Sequence, residues 1–404
     1  MRILHVTPYY APAWAWGGVV AAVTGLSRAQ ARAGYRVAVL TTDTLGPGRR
    51  GTAGSDLVEG VEVWRAPTRG VAVRARLNLS LPRSFAAAAR RLIGHGDGVV
   101  VHCHELRTVE TVIATRVAAR AGVPVLLSPH GTLPRDTGRT VLKAAWDALL
   151  ARRVLPRVRH VVALTQAEAE EAHHLWAAHG LRLEAAQLSV VPNGVDPMPL
   201  DASERCQARR RLGISDAERV VLFVGRLHER KRIPLLVAAF AAFAGRCGPA
   251  RLILAGPDDG ALGTVTAAIN RHGLGGLVLL PGMVSGDARR DVLAAADVFA
   301  LVGTGEGLPM AALEALAAGV PVVLGEACGL GEVAGAGAGL VAGTDAAAIA
   351  AALERVALAP DQPAMKERAS RLAAARFGWP AIVRQLDDIA RSVARRGETA
   401  ETDD

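Results

Sequence analysis

Short apolar runs alternate with segments of helical periodicity along most of the chain. In the first half these runs predict strands at Ile3–Thr7, Arg36–Thr41, Val61–Arg65, Val99–Cys103, Val123–Ser128 and His160–Leu164. The second half repeats the pattern at Val220–Gly225, Arg251–Ala255, Leu277–Leu280, Val298–Val302 and Val320–Leu324. Buried strands separated by helices are typical of parallel sheets built from βαβ units. The pattern therefore predicts an α/β fold with two Rossmann-like domains.

The segment VPNGVDPMPLD, residues 191–201, interrupts the periodicity with three prolines and a glycine. A length of 404 residues fits two domains, because single cores rarely grow beyond about 250–300 residues. We predict an N-terminal domain at 1–195, a C-terminal domain at 196–375 and a final helix at 376–396. The polar tail GETAETDD is predicted to be disordered.

Two carboxylates lie close together in the stretch GTGEGLPMAALEALAAGVPVV, residues 303–323. Pro309 suits a first helical turn and predicts a helix from about 309 to 318, so Glu306 lies in the loop and Glu314 in the helix. A rise of ~1.5 Å per residue sets the two groups roughly 10 Å apart. This spacing indicates a ligand with hydroxyl groups at both ends. The alternative is an ordinary alanine-rich helix with two incidental glutamates.

Anion-binding groups accompany these carboxylates. The backbone N–H groups of Gly307 and Leu308 lie at the predicted helix start, where the helix dipole attracts phosphate. The run VVLFVGRLHERKR places Arg226 and Lys231 just beyond the carboxyl end of a buried strand. Ligands of doubly wound sheets bind outside such strand ends, so both cations can reach a pyrophosphate. Solvated surface charges are the alternative.

A glycine pair opens the first predicted helix. Gly17 and Gly18 follow a loop that carries Trp14 and Trp16. Two glycines allow a backbone to approach a phosphate closely, and a tight turn is the alternative. The two tryptophans are candidates for stacking on an acceptor sugar or for anchoring the loop.

Histidines lie at two predicted strand ends. His130 follows a strand in SPHGTLPR, where an imidazole can donate to a sugar hydroxyl or to a leaving phosphate. Of His102 and His104 at the other strand end, we expect only His104 to face the ligand.

Composition narrows the class of protein. Residues 1–190 hold 24 basic and 13 acidic side chains, whereas the remainder is nearly balanced, so the N-terminal half is basic. Few aromatic residues and no recognition motif argue against nucleic acid, and an anionic membrane or acceptor fits the charge. Four cysteines without C-x-x-C spacing indicate a reducing compartment, and no apolar run reaches the ~18 residues of a membrane span. We expect a cytoplasmic protein, with peripheral contact at the inner face of the membrane as an option.

Together these motifs resemble the family 4 retaining glycosyltransferases, and the resemblance covers almost the whole chain. Its elements, in chain order, are the Gly17–Gly18 loop, SPHGTLPR, ALTQAEAEE, VPNGVD, VGRLHERKR, LILAGPDDG, LLPGMVSGDARRDVLAAADVF, GEGLPMAALEALAAGVPVV and RFGWPAIVRQ. The resemblance implies the GT-B fold, in which two Rossmann-like domains face each other across a cleft and the last helix crosses back to the N-terminal domain.

The resemblance also implies roles for individual residues. The expected catalytic residues are Glu306, His130, Arg226 and Lys231. The expected donor-binding residues are Gly17, Gly18, Arg226, Lys231, Gly256, Pro257, Glu306, Gly307, Leu308, Pro309 and Glu314. Trp14, Trp16 and His104 are candidates for acceptor binding. Gly303 departs from a common serine, and Arg232 and Pro234 replace a common glycine and acidic residue.

The activity implied is transfer of a hexose from a nucleotide-diphosphate sugar to a hydroxyl of a glycan or lipid-linked acceptor, with retention of anomeric configuration. Such a reaction fits cell-surface polysaccharide or glycolipid biosynthesis. We expect no cofactor and no metal, because fixed cations and helix N–H groups can stabilise the departing diphosphate. Two alternatives stay open: a non-catalytic nucleotide-sugar-binding or scaffold protein, and a dehydrogenase suggested by GAGAG at 335–339.

Overall fold

The computed structural model describes residues 1–46, 48–69, 80–94, 98–134 and 140–401. It contains two compact units. The N-terminal unit combines Met1–Gly194 with the chain from Trp379 onward, and the C-terminal unit is Val195–Gly378. The chain thus passes between units at 194/195 and 378/379, beside the predicted limits of 195/196 and 375/376.

An eight-stranded sheet forms the centre of the N-terminal unit. Its strands are β1 Arg2–Val6, β2 Arg36–Thr42, β3 Gly54–Val58, β4 Val61–Ala66, β5 Val99–His104, β6 Val125–Ser128, β7 His160–Ala163 and β8 Leu188–Val190. They lie in the order β8-β7-β6-β5-β1-β2-β4-β3, and only the pair β3–β4 is antiparallel. The six predicted strands are present, and the structure adds β3 and β8. Two short strand pairs join Thr44–Gly46 to Arg49–Arg50 and Thr68–Arg69 to Leu81–Pro82.

Helices cover both faces of this sheet. They are α1 Gly18–Arg32, α2 Phe85–Ile93, α3 Val109–Arg120, α4 Thr140–Trp146, α5 Arg152–Val154 and α6 Gln166–Ala178, with a π-helical stretch at Asp147–Ala151 and 3₁₀ turns at Trp14–Trp16, Leu155–Arg157 and Ala185–Gln187. Side chains alternate across a strand, so Leu4 and Val101 enter the core on one face of the sheet. His5 and His102, one residue further along each strand, therefore lie on the other face.

The C-terminal helix, Trp379–Glu401, packs on the second face of the N-terminal sheet. Trp379 lies against Gly25 and Gly194, where an added Cβ would come within 2.3 Å and 2.2 Å of the indole, so the helix seats only because both positions are glycine. The helix continues to Glu401, so the predicted disorder is wrong for residues 397–401, where alanine and glutamate favour helix. Residues 402–404 of that prediction lie outside the described residues.

The C-terminal unit has a six-stranded, fully parallel sheet. Its strands are β9 Arg219–Val224, β10 Ala250–Ala255, β11 Val278–Gly282, β12 Val298–Leu301, β13 Val322–Gly325 and β14 Gly339–Ala342, in the order β11-β10-β9-β12-β13-β14. Its helices are α7 Ala202–Arg211, α8 Ile233–Cys247, α9 Leu262–Arg271, α10 Gly286–Ala295, α11 Met310–Ala317, α12 Glu332–Gly335, α13 Ala346–Ala357 and α14 Gln362–Phe377, with a 3₁₀ turn at Glu229–Lys231. The GAGAG run leads from α12 into β14. This contradicts the dehydrogenase hypothesis, since a dinucleotide fingerprint follows a strand and opens a helix.

None of the described helices is long and apolar enough to cross a membrane. The four cysteines are free.

A buried ion pair ties α7 to the C-terminal sheet. Asp297, just before β12, accepts from Arg209 at 2.8 Å, from Arg205 at 2.6 Å and from the backbone N–H of Val220 at 2.8 Å. The side chains of Arg209 and Asp297 are 2% and 1% exposed. Arg209 also donates to the backbone carbonyl of Glu218 at 3.0 Å. Both buried charges are thus paired and hydrogen-bonded, as burial of charge requires.

We expect Asp297→Ala to destabilise the C-terminal unit by about 3–5 kcal/mol, because it leaves the buried Arg209 cation unpaired. Asp291→Ala is the matched control: it breaks the exposed Arg211–Asp291 pair and should cost at most about 1 kcal/mol. Urea unfolding followed by far-UV circular dichroism measures both, because all six tryptophans lie in the N-terminal unit and report only on it. Equal losses in the two variants would contradict the assignment.

Candidate functional site

Three loops of the C-terminal unit leave neighbouring strands at one sheet edge. They follow β9, β10 and β12, and β9 pairs with both of the others. Gly256, directly after β10, has φ +153°, and an added Cβ would lie 1.8 Å from the carbonyl oxygen of Gly225. The N–H of Leu227 donates to the carbonyl of Pro257 at 2.8 Å. The loops that carry Arg226 and Pro257 therefore run side by side. Close packing explains Gly256, and its role near a nucleobase stays a prediction.

Lys231 and Glu306 form an ion pair between two of these loops. The Nζ of Lys231 lies 2.6 Å from Oε1 and 2.8 Å from Oε2 of the carboxylate. Arg230 supports the pair through two contacts. Its guanidinium donates to the carbonyl of Gly305 at 2.7 Å, and its backbone carbonyl accepts from the N–H of Thr304 at 2.8 Å. Two of the three predicted catalytic residues of this unit, Lys231 and Glu306, are thus held together by several contacts.

The structure explains the departures from the family pattern near this ion pair. A Cβ at Gly303 would lie 2.8 Å from Oε1 of Glu306, so a serine does not fit beside the carboxylate in its present position. Arg232 has φ +50°, the left-handed conformation that glycine favours, and its guanidinium donates to the carbonyl of Thr344 at 3.1 Å. Pro234 occupies the first turn of α8, where proline is well tolerated.

Arg226 is also paired. Its guanidinium lies 2.6 Å from the Asp259 carboxylate, and both side chains are exposed. Asp258 has another function, since one of its oxygens accepts from the N–H groups of Gly260, Ala261 and Leu262. The two aspartates of GPDDG are therefore engaged by separate partners.

The helix that carries Glu314 begins at Met310, with Pro309 at its N-cap, and ends at Ala317. It starts one residue later than predicted, because ψ of +116° leaves Pro309 extended. Within the described residues, the N–H groups of Gly307 and Leu308 have no protein acceptor, so they are available to an anion.

Arg289 on α10 binds the Glu314 carboxylate, with its Nε 2.7 Å from Oε2. Burial raises the pKa of Glu314, and the Arg289 guanidinium opposes that rise. No local sequence signal marks Arg289, because its partner lies on another helix.

In the N-terminal unit, Trp16 stacks on Tyr9 with ring centroids 4.3 Å apart, which supports the loop-anchor interpretation. Trp14 is exposed. Gly17 has φ +92° and precedes α1, so its backbone requires glycine, and Gly18 is the first residue of the helix. The turn accounts for Gly17, and phosphate binding at the helix start stays a prediction.

Four histidines of this unit gather on one face of the sheet. His5 lies opposite His102 in the parallel register, and His104 lies opposite Ser128, just before His130. His102 lies on the same face as His104, because residues two apart on a strand share a face, whereas the expectation that only His104 meets the ligand stays a prediction. His102, His104 and His130 all line one small cavity, with Asn193 and Trp379 on its wall.

The imidazoles are linked by hydrogen bonds. His5 Nδ1 lies 2.9 Å from His104 Nε2, and His104 Nδ1 lies 2.9 Å from His130 Nε2. Burial lowers the pKa of His5 and of His130 from 6.5 to about 4, and the pKa values of His102 and His104 well below 6.5. The rings are therefore neutral at physiological pH.

His5, His102 and His104 also offer ligand atoms within 4.8 Å of one another, a spacing that a metal ion could use. However, His5 and His104 already bond to each other, and His102 Nε2 lies 2.8 Å from the Ser128 hydroxyl. These contacts favour hydrogen bonding among the rings.

Glu168 holds the loop that contains His130. It lies in the first turn of α6, in the ALTQAEAEE motif, and its carboxylate accepts from the N–H groups of Gly131 and Leu164. Burial raises the pKa of Glu168 from 4.5 to about 7. His130 has φ +56°, an uncommon conformation for a side-chain-bearing residue, and the Glu168 contact helps to fix it. The sequence shows a T-x-x-E capping pattern here but not its long-range partner.

The two-unit architecture is shared with solved structures. Anabaena Alr3699/HepE in complex with UDP and glucose has a TM-score of 0.73 at 20% identity, covering 97% of this chain and all of that one. WaaG, a glycosyltransferase involved in lipopolysaccharide biosynthesis, has a TM-score of 0.67 at 17% identity, covering 96% of this chain and 99% of that one. The fold class is therefore GT-B, as predicted.

Sequence comparison extends this class to a family. A model of glycosyl transferases group 1 matches residues 204–396, and a model of a glycosyl transferase 4-like domain matches residues 17–194. A D-inositol 3-phosphate glycosyltransferase of Actinosynnema mirum is 30% identical and covers 88% of each chain. One of the same description from Xylanimonas cellulosilytica is 29% identical and covers 98% of this chain and 97% of that protein. The chain belongs to the group 1 glycosyltransferases, and it is an enzyme of that class.

The buried imidazoles should make the N-terminal unit less stable in acid. Unfolded histidines take up a proton below about pH 6.5, whereas His5 and His130 do so in the folded unit only near pH 4. The unfolded state therefore binds more protons in this window, and stability falls as the pH falls from about 6.5 towards 4. Glu168 acts in the opposite direction between pH 4.5 and about pH 7. It is a single group, whereas four histidines lower the stability together.

We therefore expect a lower urea midpoint at about pH 5 than at about pH 7, measured by tryptophan fluorescence. His102→Asn should reduce this difference, whereas His174→Asn, on an exposed position of α6, should leave it unchanged. Equal midpoints at the two pH values would show that the imidazoles do not control acid stability.

Proposed function

We propose that the chain is a retaining, metal-independent glycosyltransferase that transfers a hexose from a nucleotide-diphosphate sugar to a hydroxyl acceptor. The observation that carries the proposal is the Lys231–Glu306 ion pair at the strand ends of the C-terminal unit. It places a cation for the diphosphate beside a carboxylate for sugar hydroxyls. The Anabaena protein was solved in complex with UDP and glucose, so UDP-sugars are the first donors to test here.

The donor diphosphate would bind to Arg226, to Lys231 and to the N–H groups of Gly307 and Leu308. Each cation now has a carboxylate partner, so the diphosphate would exchange with the exposed Asp259 at Arg226. The N–H groups of Gly307 and Leu308, which no acceptor in the described part of the chain engages, offer hydrogen bonds without that exchange. The anion therefore has both charged and neutral donors in this unit.

Bond cleavage would leave negative charge on the departing diphosphate, which these groups would stabilise once the diphosphate has replaced Asp259 at Arg226. Glu314 would accept from the ribose hydroxyls, with Arg289 keeping its carboxylate oriented, and Glu306 would accept from the hexose. We propose front-face attack, in which the departing phosphate takes the proton of the acceptor hydroxyl. This route needs no protein base and gives retention.

The acceptor is proposed to carry a negative charge or a lipid anchor. The basic N-terminal half attracts an anionic acceptor, or the anionic membrane that holds a lipid-linked one. The relatives named D-inositol 3-phosphate glycosyltransferase suggest an inositol phosphate as a first acceptor to test. A glycan or lipid-linked saccharide of cell-surface polysaccharide or glycolipid biosynthesis is the other acceptor class. We propose that the enzyme acts in the cytoplasm.

We also propose a peripheral membrane surface formed by α4, α5 and the π-helical stretch between them. Val141 is 82% and Leu149 is 70% exposed, and Ala145 lies on the same helical face. Arg152 and Arg153 follow at the end of this segment and are exposed. Apolar side chains beside arginines fit the interface of an anionic bilayer.

A screen of UDP, GDP and ADP sugars by thermal shift tests the donor site. One nucleotide should stabilise the wild type, and Arg226→Ala and Lys231→Ala should remove the shift. Arg246→Ala, which removes a cation from the far end of α8, is the control. Asp259→Asn should tighten binding by up to about five-fold, because an exposed ion pair is worth at most about 1 kcal/mol.

Glu306→Ala should abolish transfer and donor hydrolysis. Binding without turnover would favour a scaffold function, and no shift with any donor would refute the donor site.

Co-sedimentation with phosphatidylglycerol vesicles tests the membrane surface. Leu149→Ser should weaken binding by about ten-fold, since it removes a large apolar side chain from the interface. Leu262→Ser, an exposed leucine of the C-terminal unit, should bind like the wild type. Binding that is absent in the wild type, or equal in both variants, would reject this surface.

A further inference from the structure

A polar side chain occupies a core position of α1. Gln30 is 3% exposed on the helix face that also buries Val23 and Leu26, where the helical period calls for an apolar residue. Its side-chain oxygen Oε1 lies 2.7 Å from His5 Nε2. Gln30 thus ends the hydrogen-bonded series that runs through His5 and His104 to His130.

The direction of each hydrogen bond follows from this end. A carbonyl oxygen only accepts, so His5 carries its proton on Nε2, and its Nδ1 is bare because the ring is neutral. His104 must then donate from Nε2 to His5 Nδ1 at 2.9 Å, which leaves His104 Nδ1 bare. The same step makes His130 donate from Nε2 at 2.9 Å.

Nδ1 of His130 is consequently bare. Among the residues that the structure describes, no protein group bonds to this atom. His130 is partly exposed and lines the cavity. A bare ring nitrogen accepts from a hydroxyl but has no hydrogen to give to a phosphate oxygen.

We propose that Gln30 is a positioning residue that fixes the tautomers of His5, His104 and His130, so that His130 accepts a hydrogen bond from a sugar hydroxyl through Nδ1. Gln30, on a buried helix face, thus determines which nitrogen of His130 carries the proton at the cavity. This assignment makes a hydroxyl the partner of His130, whereas the sequence left a hydroxyl and a phosphate as alternatives. The identity of the ligand rests on the proposed function, whereas the tautomers do not.

Long-range ¹H–¹⁵N correlation spectra of the full-length protein, labelled in its histidine rings, show which nitrogen of each ring carries the proton. Single His→Asn variants assign the signals. At about pH 7.5 the wild type should show His5, His104 and His130 all protonated on Nε2. A proton on Nδ1 of His130 in the wild type would overturn the proposal. A wild-type spectrum that changes on addition of EDTA would also overturn it, because the change would indicate a bound metal.

Gln30→Met keeps the side-chain length and removes the acceptor. It should produce a population of His130 protonated on Nδ1, and unchanged tautomers would exclude Gln30 as the determinant. Ser128→Ala is the matched control, because it removes a buried hydrogen bond from His102, outside the series. It should shift the His102 signals alone.

Kinetics separate a positioning role from a structural one. Gln30→Met should lower kcat by about ten-fold and leave the donor KM within about two-fold, because the affected contact is to the reacting sugar. An equal fall in kcat for Ser128→Ala would overturn the positioning role. A wild type without transferase activity would refute the proposed function, and the spectra would still decide the tautomers.

Discussion

Parallel strand pairing is the constraint on which the candidate site of each unit depends. Parallel neighbours end at the same sheet edge, so loops far apart in sequence become adjacent. In the C-terminal unit, β9 pairs with β12, and this pairing brings Lys231 to Glu306, 75 residues further along the chain. In the N-terminal unit, the pairing of β5 with β6 brings His104 to His130.

The C-terminal unit neutralises its site charges before any ligand binds. Lys231 pairs with Glu306 and Arg226 with Asp259, so each cation is held near the sheet edge by a carboxylate. Ion pairs of this kind keep long side chains in place, but an entering anion must compete with them. The Arg209–Asp297 pair differs in kind, because it is almost fully buried and it holds α7 on the sheet.

The N-terminal unit solves the opposite problem, since its site groups are buried and uncharged. Neutral imidazoles can each donate one hydrogen bond and accept another, so a series of them satisfies its members without a net charge. Such a series needs a defined end, which Gln30 supplies from α1. Glu168 then holds the backbone next to His130, so side-chain and backbone contacts together fix one imidazole.

The sequence by itself determined the α/β class, the central strands and the identity of the charged residues at strand ends, because apolar runs and strand ends are local patterns. It missed β3, whose residues are mostly exposed and carry no apolar alternation, and it ended the last helix too early. Only the tertiary structure decided that Asp259 pairs with Arg226, that Arg289 binds Glu314 and that Gln30 meets His5. Each of these contacts joins residues 25 to 33 positions apart, and which strands and helices become neighbours is a property of the whole fold.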